Sequence, residues 1–336
     1  MQRDRGLTEM LNNKDILITG GTGSFGKKCV AVILNRYKPR RLIIFSRDEA
    51  KQDEMRQVFS PEKFSCLRYF IGDVRDKGRL RWAFKEVNYI IHAAALKHVP
   101  AAEYNPFEAV QTNIIGAQNV IEVAVQSNVQ KVLALSTDKA VNPINLYGAT
   151  KLCLEKLFVA ANLYAGKGTK LSVVRYGNVV ASRGSVIPLF LKQKENNKLY
   201  ITDLKMTRFW ITLEQGVDFV LFCLENMHGG EIFVPKIPSM KIIDLAKAMA
   251  PECEIEVIGI RPGEKLNEVL ISKDESRYAR DNGKFFVIQP SIIYWEYRTW
   301  NGSPVPQGYE YTSDNNSEWL TSKQLREMLK DIPVGS

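Results

Sequence analysis

The chain has 336 residues, 45% of them apolar, and its 46 basic and 37 acidic residues leave a net charge of +9. That length suits one large or two moderate domains, and no apolar run approaches the roughly 20 residues of a membrane span. The basic residues are dispersed and form no nucleic-acid-binding motif, so the charge reads as a solvated surface that favours an anionic small substrate over nucleic acid. The five cysteines (Cys29, Cys66, Cys153, Cys223, Cys253) and three histidines (His92, His98, His228) lack paired or metal-ligand spacing. Reduced core thiols and no metal centre are expected. Residues 1–14 form a polar extension without the apolar core of a signal peptide, which points to a cytoplasmic protein with no membrane partner.

From residue 15 to 177 apolar runs alternate with amphipathic segments. Residues 15–20, 42–45, 66–71, 89–93, 131–136 and 171–176 read as six strands. They are apolar almost throughout, as parallel strands covered on both faces are. Residues 109–126 and 146–164 are the clearest helices between them. The pattern predicts an α/β fold, a doubly wound parallel Rossmann sheet. After residue 178 prolines and glycines become frequent. Helices over 186–196, 213–226 and 242–249 mix with short strands. This predicts a smaller mixed α/β substrate-binding region over 178–336, with some segments returning to the sheet. No fold is assigned to the polar, aromatic-rich tail 292–336.

The first strand runs into Thr19-Gly20-Gly21-Thr22-Gly23-Ser24-Phe25-Gly26, which opens a helix. Gly20, Gly23 and Gly26 are spaced for the turn, the approach to a pyrophosphate and close helix–strand packing. A tight turn without ligand is the alternative, but the strand–helix junction is the context a dinucleotide site requires. Thr22, Ser24 and Phe25 fall in the same loop. The second strand ends in Phe45-Ser46-Arg47-Asp48-Glu49, with Lys51 beyond. A carboxylate there would bind the ribose of NAD, whereas an arginine accepts the extra phosphate of NADP. Arg47 stands first, with Ser46 and Lys51 beside it, so NADP is preferred over the NAD reading that Asp48 keeps open. Asp73 and Val74 follow the third strand, where Asp73 can bond adenine or cap a helix. Ala93, Ala94 and Ala95, after the fourth strand, are small enough for the cofactor to lie against.

Tyr147 and Lys151 stand four apart, on one face of a predicted helix. A phenol with a pKa of about 10 is a poor base at neutral pH. A nearby ammonium and an oxidised nicotinamide, both positive, would lower that value. Tyr147 can then take a hydroxyl proton, while Lys151 also holds the nicotinamide ribose. Asp138 and Lys139 close the fifth strand. A surface turn pair is the plain alternative, but ligands bind at such carboxyl ends.

These motifs, with the strand pattern, resemble the extended short-chain dehydrogenase/reductase superfamily over residues 14–290. Thr137-Asp138-Lys139-Ala140, then Asn142-Pro143 and Tyr147-Gly148-Ala149-Thr150-Lys151, look like the nucleotide-sugar 4,6-dehydratases. Ser46-Arg47-Asp48-Glu49, Arg261-Pro262-Gly263-Glu264-Lys265 and Ser313-Asp314-Asn315-Asn316 look like the inverting UDP-N-acetylglucosamine 4,6-dehydratases of pseudaminic acid biosynthesis. Retaining relatives typically carry methionine where this chain has Tyr147. The resemblance implies a UDP-sugar substrate, a tightly bound and regenerated NADP, and a homo-oligomer. It also implies a reaction order. Tyr147 serves oxidation at carbon 4, a neutral Lys139 takes the carbon 5 proton, and a protonated Asp138 gives its proton to the departing carbon 6 hydroxyl. Hydride returns to carbon 6, and reprotonation from the opposite face inverts carbon 5. Thr137, Lys97 and Asn178 are candidates for the sugar and diphosphate. Arg183, Arg208 and Arg261 are candidates for phosphate contacts, each open to a surface salt-bridge reading, and Glu264 for the uridine ribose. Two rivals stay in view: a nucleotide-sugar 4-epimerase, which needs no Asp138–Lys139 pair, and a non-catalytic NADP-binding regulatory protein.

Overall fold

A strand buried on both faces has no polar side to show, and the inner strands of the first half of the molecule are of this kind. The computed structural model describes residues 10–166, 168–180 and 186–330. The strands are β1 (Asp15–Thr19), β2 (Arg41–Ser46), β3 (Leu67–Ile71), β4 (Tyr89–His92), β5 (Lys131–Thr137) and β6 (Lys170–Tyr176). They pair in parallel in the order 3-2-1-4-5-6. Every residue of β1 and β4 is buried, whereas the outer strand β3 exposes Arg68 and Ile71. The strand order reverses between β1 and β4, which opens a crevice at their carboxyl ends.

The expected helix over 109–126 is helical throughout but not uniform. Pro106–Val110 and Gly116–Gln126 flank a π-helical turn, Gln111–Ile115. Leu146–Ala161 ends three residues short of the expected boundary, with Leu163 and Tyr164 exposed beyond it. Glu49–Val58 and Lys77–Ala83 are capped by Asp48 and Asp76, whose side chains accept from Lys51 N–H and Arg79 N–H.

The later strands are β7 (Asn178–Val179), β8 (Lys198–Ile201), β9 (Thr207–Ile211), β10 (Ile232–Pro235), β11 (Ser239–Lys241), β12 (Glu254–Val257), β13 (Val269–Ile271), β14 (Ala279–Asp281), β15 (Phe285–Ile288), β16 (Ser303–Pro304) and β17 (Tyr311–Thr312). Four of them extend the main sheet. β10 pairs in parallel with β6, then β15, β14 and β16 follow antiparallel, giving ten strands. The other seven form three small sheets: β11-β9-β7, β12-β8 and β13-β17. One apolar core runs from Leu11 to Tyr311 across the main sheet, and a second joins Ile187, Phe190, Leu199, Trp210, Leu245 and Leu325.

The tail gains its structure from partners distant in sequence. Trp300 packs edge-on against Phe233 and Phe285, and its Nε1 donates to Glu231 Oε1 at 3.1 Å. Cys29, Cys223 and Cys253 are buried, but Cys153 is exposed, which corrects the expectation that all five are core thiols. Among the described residues no helix is long and apolar enough to cross a membrane.

Candidate active site

The glycine loop is built of backbone held close to backbone. Gly20 has φ of +66°, and a β-carbon there would lie 2.8 Å from the Ala94 nitrogen. A β-carbon on Gly26 would lie 2.3 Å from the Gly21 oxygen, so the helix Ser24–Arg36 sits directly on its own turn. Gly23 is the N-cap of that helix and brings no side-chain acceptor, which leaves the first amides to an outside anion. Thr22 is buried beside them, with Ser24 and Phe25 half-buried. Thr19 ties the facing wall: its hydroxyl lies 2.8 Å from His92 Nδ1 and accepts from Ala94 N–H at 3.2 Å. Ala93, Ala94 and Ala95 thus form a small-residue wall opposite the turn. A cradle that no side chain fills, under an uncapped helix end, fits a dinucleotide pyrophosphate.

Asp48 is committed to capping its helix, and Lys51 reaches its carboxylate through an exposed ion pair. Ser46 Oγ accepts from Gln52 Nε2 at 3.0 Å and keeps its own proton to donate. Arg47 extends toward Asp73 at 3.6 Å with half of its side chain exposed. Asp73 caps no helix. It accepts from Arg75 N–H at 2.9 Å and pairs with the Arg75 guanidinium. Val74 is buried against Gly116.

At the other end, the helix Leu146–Ala161 places Tyr147 and Lys151 on one face, as their spacing predicts. Asn145 starts that helix, with its Oδ1 accepting from Gly148 N–H at 2.8 Å. Asp138 and Lys139 form a 3-10 turn directly off β5. Asp138 is fully buried. Its Oδ1 accepts from Thr137 Oγ1 at 2.9 Å and from Lys139 Nζ at 3.0 Å, and its Oδ2 is buried without a hydrogen-bond partner among the described residues. Gly177 leaves room for that oxygen, since a β-carbon there would approach it to 3.3 Å.

Burial, then the charge of Glu268, pushes the Asp138 carboxyl up, against the pull of Lys139 and Thr137. Burial opposes the Lys139 charge, but Asp138 and Glu268 outweigh it and hold the ammonium above its ordinary range. The neutral Lys139 expected from the sequence is therefore not its resting form. Burial pushes the Tyr147 phenol up to about 12; Lys139 pulls it back, Asp138 pushes it further, and Thr137 opposes. The ammonium acting on the phenol is thus Lys139, where the sequence pointed to Lys151. Lys151 is itself pulled down to about 8 by burial, against Glu155 one turn on. His92, buried and stacked on Phe158, is pulled down to about 3 by burial and the Lys151 charge. Glu155 belongs to a buried ion network, accepting from Ser136 Oγ at 2.6 Å and from Arg175 Nη2 at 2.6 Å.

The later half of the chain closes the site. Asn178 Oδ1 lies 3.5 Å from Lys139 Nζ. Lys97 is exposed on the loop after β4, and Arg261 is exposed on the loop that leads to Glu268. Arg208 is buried and spends its donors on the carbonyls of Thr207, Leu266 and Lys265. It holds that loop rather than presenting a free guanidinium for a phosphate, which corrects the sequence reading. Glu264 Oε1 faces Arg208 at 3.5 Å. Arg183 lies outside the described residues.

Sequence reasoning missed three groups. Glu268 Oε1 is 3.0 Å from Lys139 Nζ, and Lys265 Nζ donates to the Val141 carbonyl just past the Asp138–Lys139 turn. Asn113, in the π-helical turn, accepts from Leu96 N–H at 2.8 Å and donates to Thr150 Oγ1 at 3.0 Å. It thereby ties the wall after β4 to the Tyr147 helix. The only earlier signal was the motif 261–265, which carries Lys265 without giving it a role and stops short of Glu268.

Residues 16–290 match the family model described as polysaccharide biosynthesis protein. The chain is 55% identical to the UDP-N-acetylglucosamine 4,6-dehydratase (inverting) of Campylobacter jejuni subsp. jejuni serotype O:23/36 (strain 81-176), over 95% of this chain and 98% of that one. It is 42% identical to a UDP-glucose 4-epimerase of Rickettsia bellii (strain OSU 85-389), over 96% and 97% of the two chains. The solved structure of Pen from Bacillus thuringiensis superposes with a TM-score of 0.88 at 39% identity, covering 96% of this chain and 98% of that one. The family model spans most of the chain and the relatives cover nearly all of it: the chain belongs to the polysaccharide biosynthesis protein family.

Proposed function

We propose that this protein is a nucleotide-sugar 4,6-dehydratase, a lyase acting on UDP-N-acetylglucosamine with inversion at carbon 5. The observation that carries the reading is the Asp138–Lys139 pair, 3.0 Å apart with Asp138 fully buried, at the end of the strand that faces Tyr147. An epimerase that only oxidises and re-reduces carbon 4 has no use for a second acid and base. The identity to the Campylobacter jejuni relative, higher than that to the Rickettsia bellii epimerase, points the same way.

The cofactor we assign is NADP, held tightly and regenerated in each turnover. When bound, it supplies the two-electron acceptor and donor for carbons 4 and 6. The amides after Gly20, Thr22, Gly23, Ser24 and Phe25 would take the pyrophosphate, with Gly26 seating the helix. Arg47, Ser46 and Lys51 would surround the 2′-phosphate, Asp73 and Val74 the adenine, and Ala93–Ala95 the far wall. Asp48, used as a cap, leaves no free carboxylate for an NAD ribose.

Tyr147 takes the carbon 4 hydroxyl proton, and Lys151 sits one turn beneath it to hold the nicotinamide ribose. Lys139 becomes a base when one proton moves along its hydrogen bond to Asp138 Oδ1. That single shift makes the amine that removes the carbon 5 proton and the acid that protonates the departing carbon 6 hydroxyl. We assign Thr137 and Lys97 to the sugar, Asn178 to the diphosphate, and Arg261 and Glu264 to the uridine end. A homo-oligomer in the cytoplasm, serving pseudaminic acid synthesis, completes the proposal.

NMR of the purified protein with UDP-N-acetylglucosamine in D2O tests it. A 4-keto-6-deoxy product, deuterated and inverted at carbon 5, is expected. Interconversion at carbon 4 without loss of water would establish the epimerase instead.

A further inference from the structure

Glu268 takes no part in the chemistry proposed above, yet it touches the base. Its side chain is 2% exposed, with Oε1 at 3.0 Å from Lys139 Nζ and 3.8 Å from Arg208 Nε. Oε2 is buried with no hydrogen-bond partner among the described residues. A half-satisfied buried carboxylate is costly, and anchoring the chain does not require it. The backbone of Glu268 is already fixed: its N–H donates to Ser313 Oγ at 2.9 Å, and its carbonyl accepts from Ser313 N–H at 2.9 Å. Loop 261–268 is also tied to the Tyr147 helix, because Asn145 Nδ2 donates to the Gly263 carbonyl at 2.8 Å.

Resting on the dehydratase reading, we infer that Glu268 is a positioning residue for removal of the carbon 5 proton: it shares the Lys139 ammonium with Asp138 and governs when that ammonium becomes a base. The step balances. A Lys139 N–H bond breaks as an Asp138 O–H bond forms, leaving a neutral amine and a neutral acid. The amine then takes the carbon 5 proton, and the C–H electron pair passes into the enolate of the 4-ketone. Glu268 stays ionised throughout and exchanges no proton. The groups facing Lys139 are the carboxylates Asp138 and Glu268, the cations Arg208 and Lys265, the Tyr147 phenol and the Asn178 amide. Glu268 is the only one of the two anions not consumed as an acid.

E268Q keeps the shape and removes the charge. Deuterium entry at carbon 5, followed by NMR against pH, is expected to fall about tenfold at its plateau. Its basic limb is expected to move to lower pH by roughly one to three units, because Lys139 loses an anion that keeps its proton on. The fall should exceed any fall in carbon 4 oxidation, read from the absorbance of the reduced cofactor. E268D keeps the charge at shorter reach and should leave the limb in place while restoring part of the plateau. K139A and the double variant K139A/E268Q should be equal, since Glu268 acts through Lys139. E268Q with the wild-type plateau and limb, or a double variant well below K139A, would overturn the inference. If E268Q does not fold, E268D decides: a displaced limb or an unchanged plateau overturns it. A wild-type protein that neither oxidises carbon 4 nor exchanges carbon 5 would overturn the dehydratase reading itself, and this inference with it.

Discussion

Gly148 lies against the Lys139 main chain so closely that a β-carbon at residue 148 would come within 2.1 Å of the Lys139 carbonyl oxygen. The first turn of the Tyr147 helix therefore rests on the turn that carries Asp138 and Lys139. A main-chain oxygen cannot rotate away as a side chain can, so one of the two turns must move. Gly148→Ala is expected to cost about 1–3 kcal/mol of stability and to lower carbon 5 exchange by more than it lowers cofactor retention. Thermal unfolding and NMR in D2O check the two parts, and wild-type exchange in a folded variant would show that the turns are not coupled.

Tyr147→Phe removes the phenol oxygen from a half-buried ring and leaves the helix intact. Loss of one general base slows proton transfer by roughly 10²–10⁴-fold. Product formation should fall by that amount while bound cofactor, measured after denaturing the protein, stays at wild-type occupancy. Turnover at the wild-type rate would remove Tyr147 from the mechanism.

Gly20→Ala places a methyl group 2.8 Å from the Ala94 nitrogen at a residue with φ of +66°. Both the left-handed backbone and the contact oppose it. The expected outcome is a protein that purifies with little dinucleotide, because the cradle wall has shifted. Cofactor content per chain is the measurement, and full occupancy would place the pyrophosphate elsewhere.

Lys151 makes stability depend on pH in a defined window. Burial pulls its pKa from 10.5 down to about 8, so between these values the unfolded chain binds more protons than the folded one. Stability from this group is lowest below pH 8 and rises as pH climbs toward 10.5, by about 3 kcal/mol in all. In the cofactor-free protein, Lys151→Met should be the more stable near pH 7 and lose that advantage near pH 10.5. Denaturant titrations at both pH values test this, and an advantage that does not change with pH would contradict it.

Arg175 sits 1% exposed between Glu155 and Glu275, at 2.6 and 2.9 Å. Breaking a buried pair strands its partners, and Arg175→Met is expected to cost about 3–5 kcal/mol. The loss should exceed that of Arg36→Met, whose pair with Asp218 is exposed. Equal melting temperatures for the two variants would contradict the ranking.

What could be read before folding followed from local rules. The inner parallel strands stand out because both faces are covered, and Tyr147 and Lys151 because a helix aligns residues four apart. The π-helical turn that turns Asn113 inward leaves no mark in hydrophobic periodicity. Glu268 meets Lys139, more than a hundred residues away in the chain, because β13 pairs with β17 and Ser313 seats the Glu268 backbone. The Lys139 charge depends on the same fold: Asp138 first and then Glu268 offset the burial that by itself argues for a neutral amine. The tail resisted because its strands are two residues long and its aromatic residues pack on partners far upstream.

The pairing of β6 with β10 bears on how the chain is made. When β6 has left the ribosome, its outer edge is an unsatisfied row of amides and carbonyls, and the strand that covers it has yet to be synthesised. Such an edge is open to pairing with any neighbour, including a second nascent chain. A fragment ending near residue 177 would carry that edge permanently, so it should be insoluble on its own, and chaperone demand should peak before residue 232 emerges.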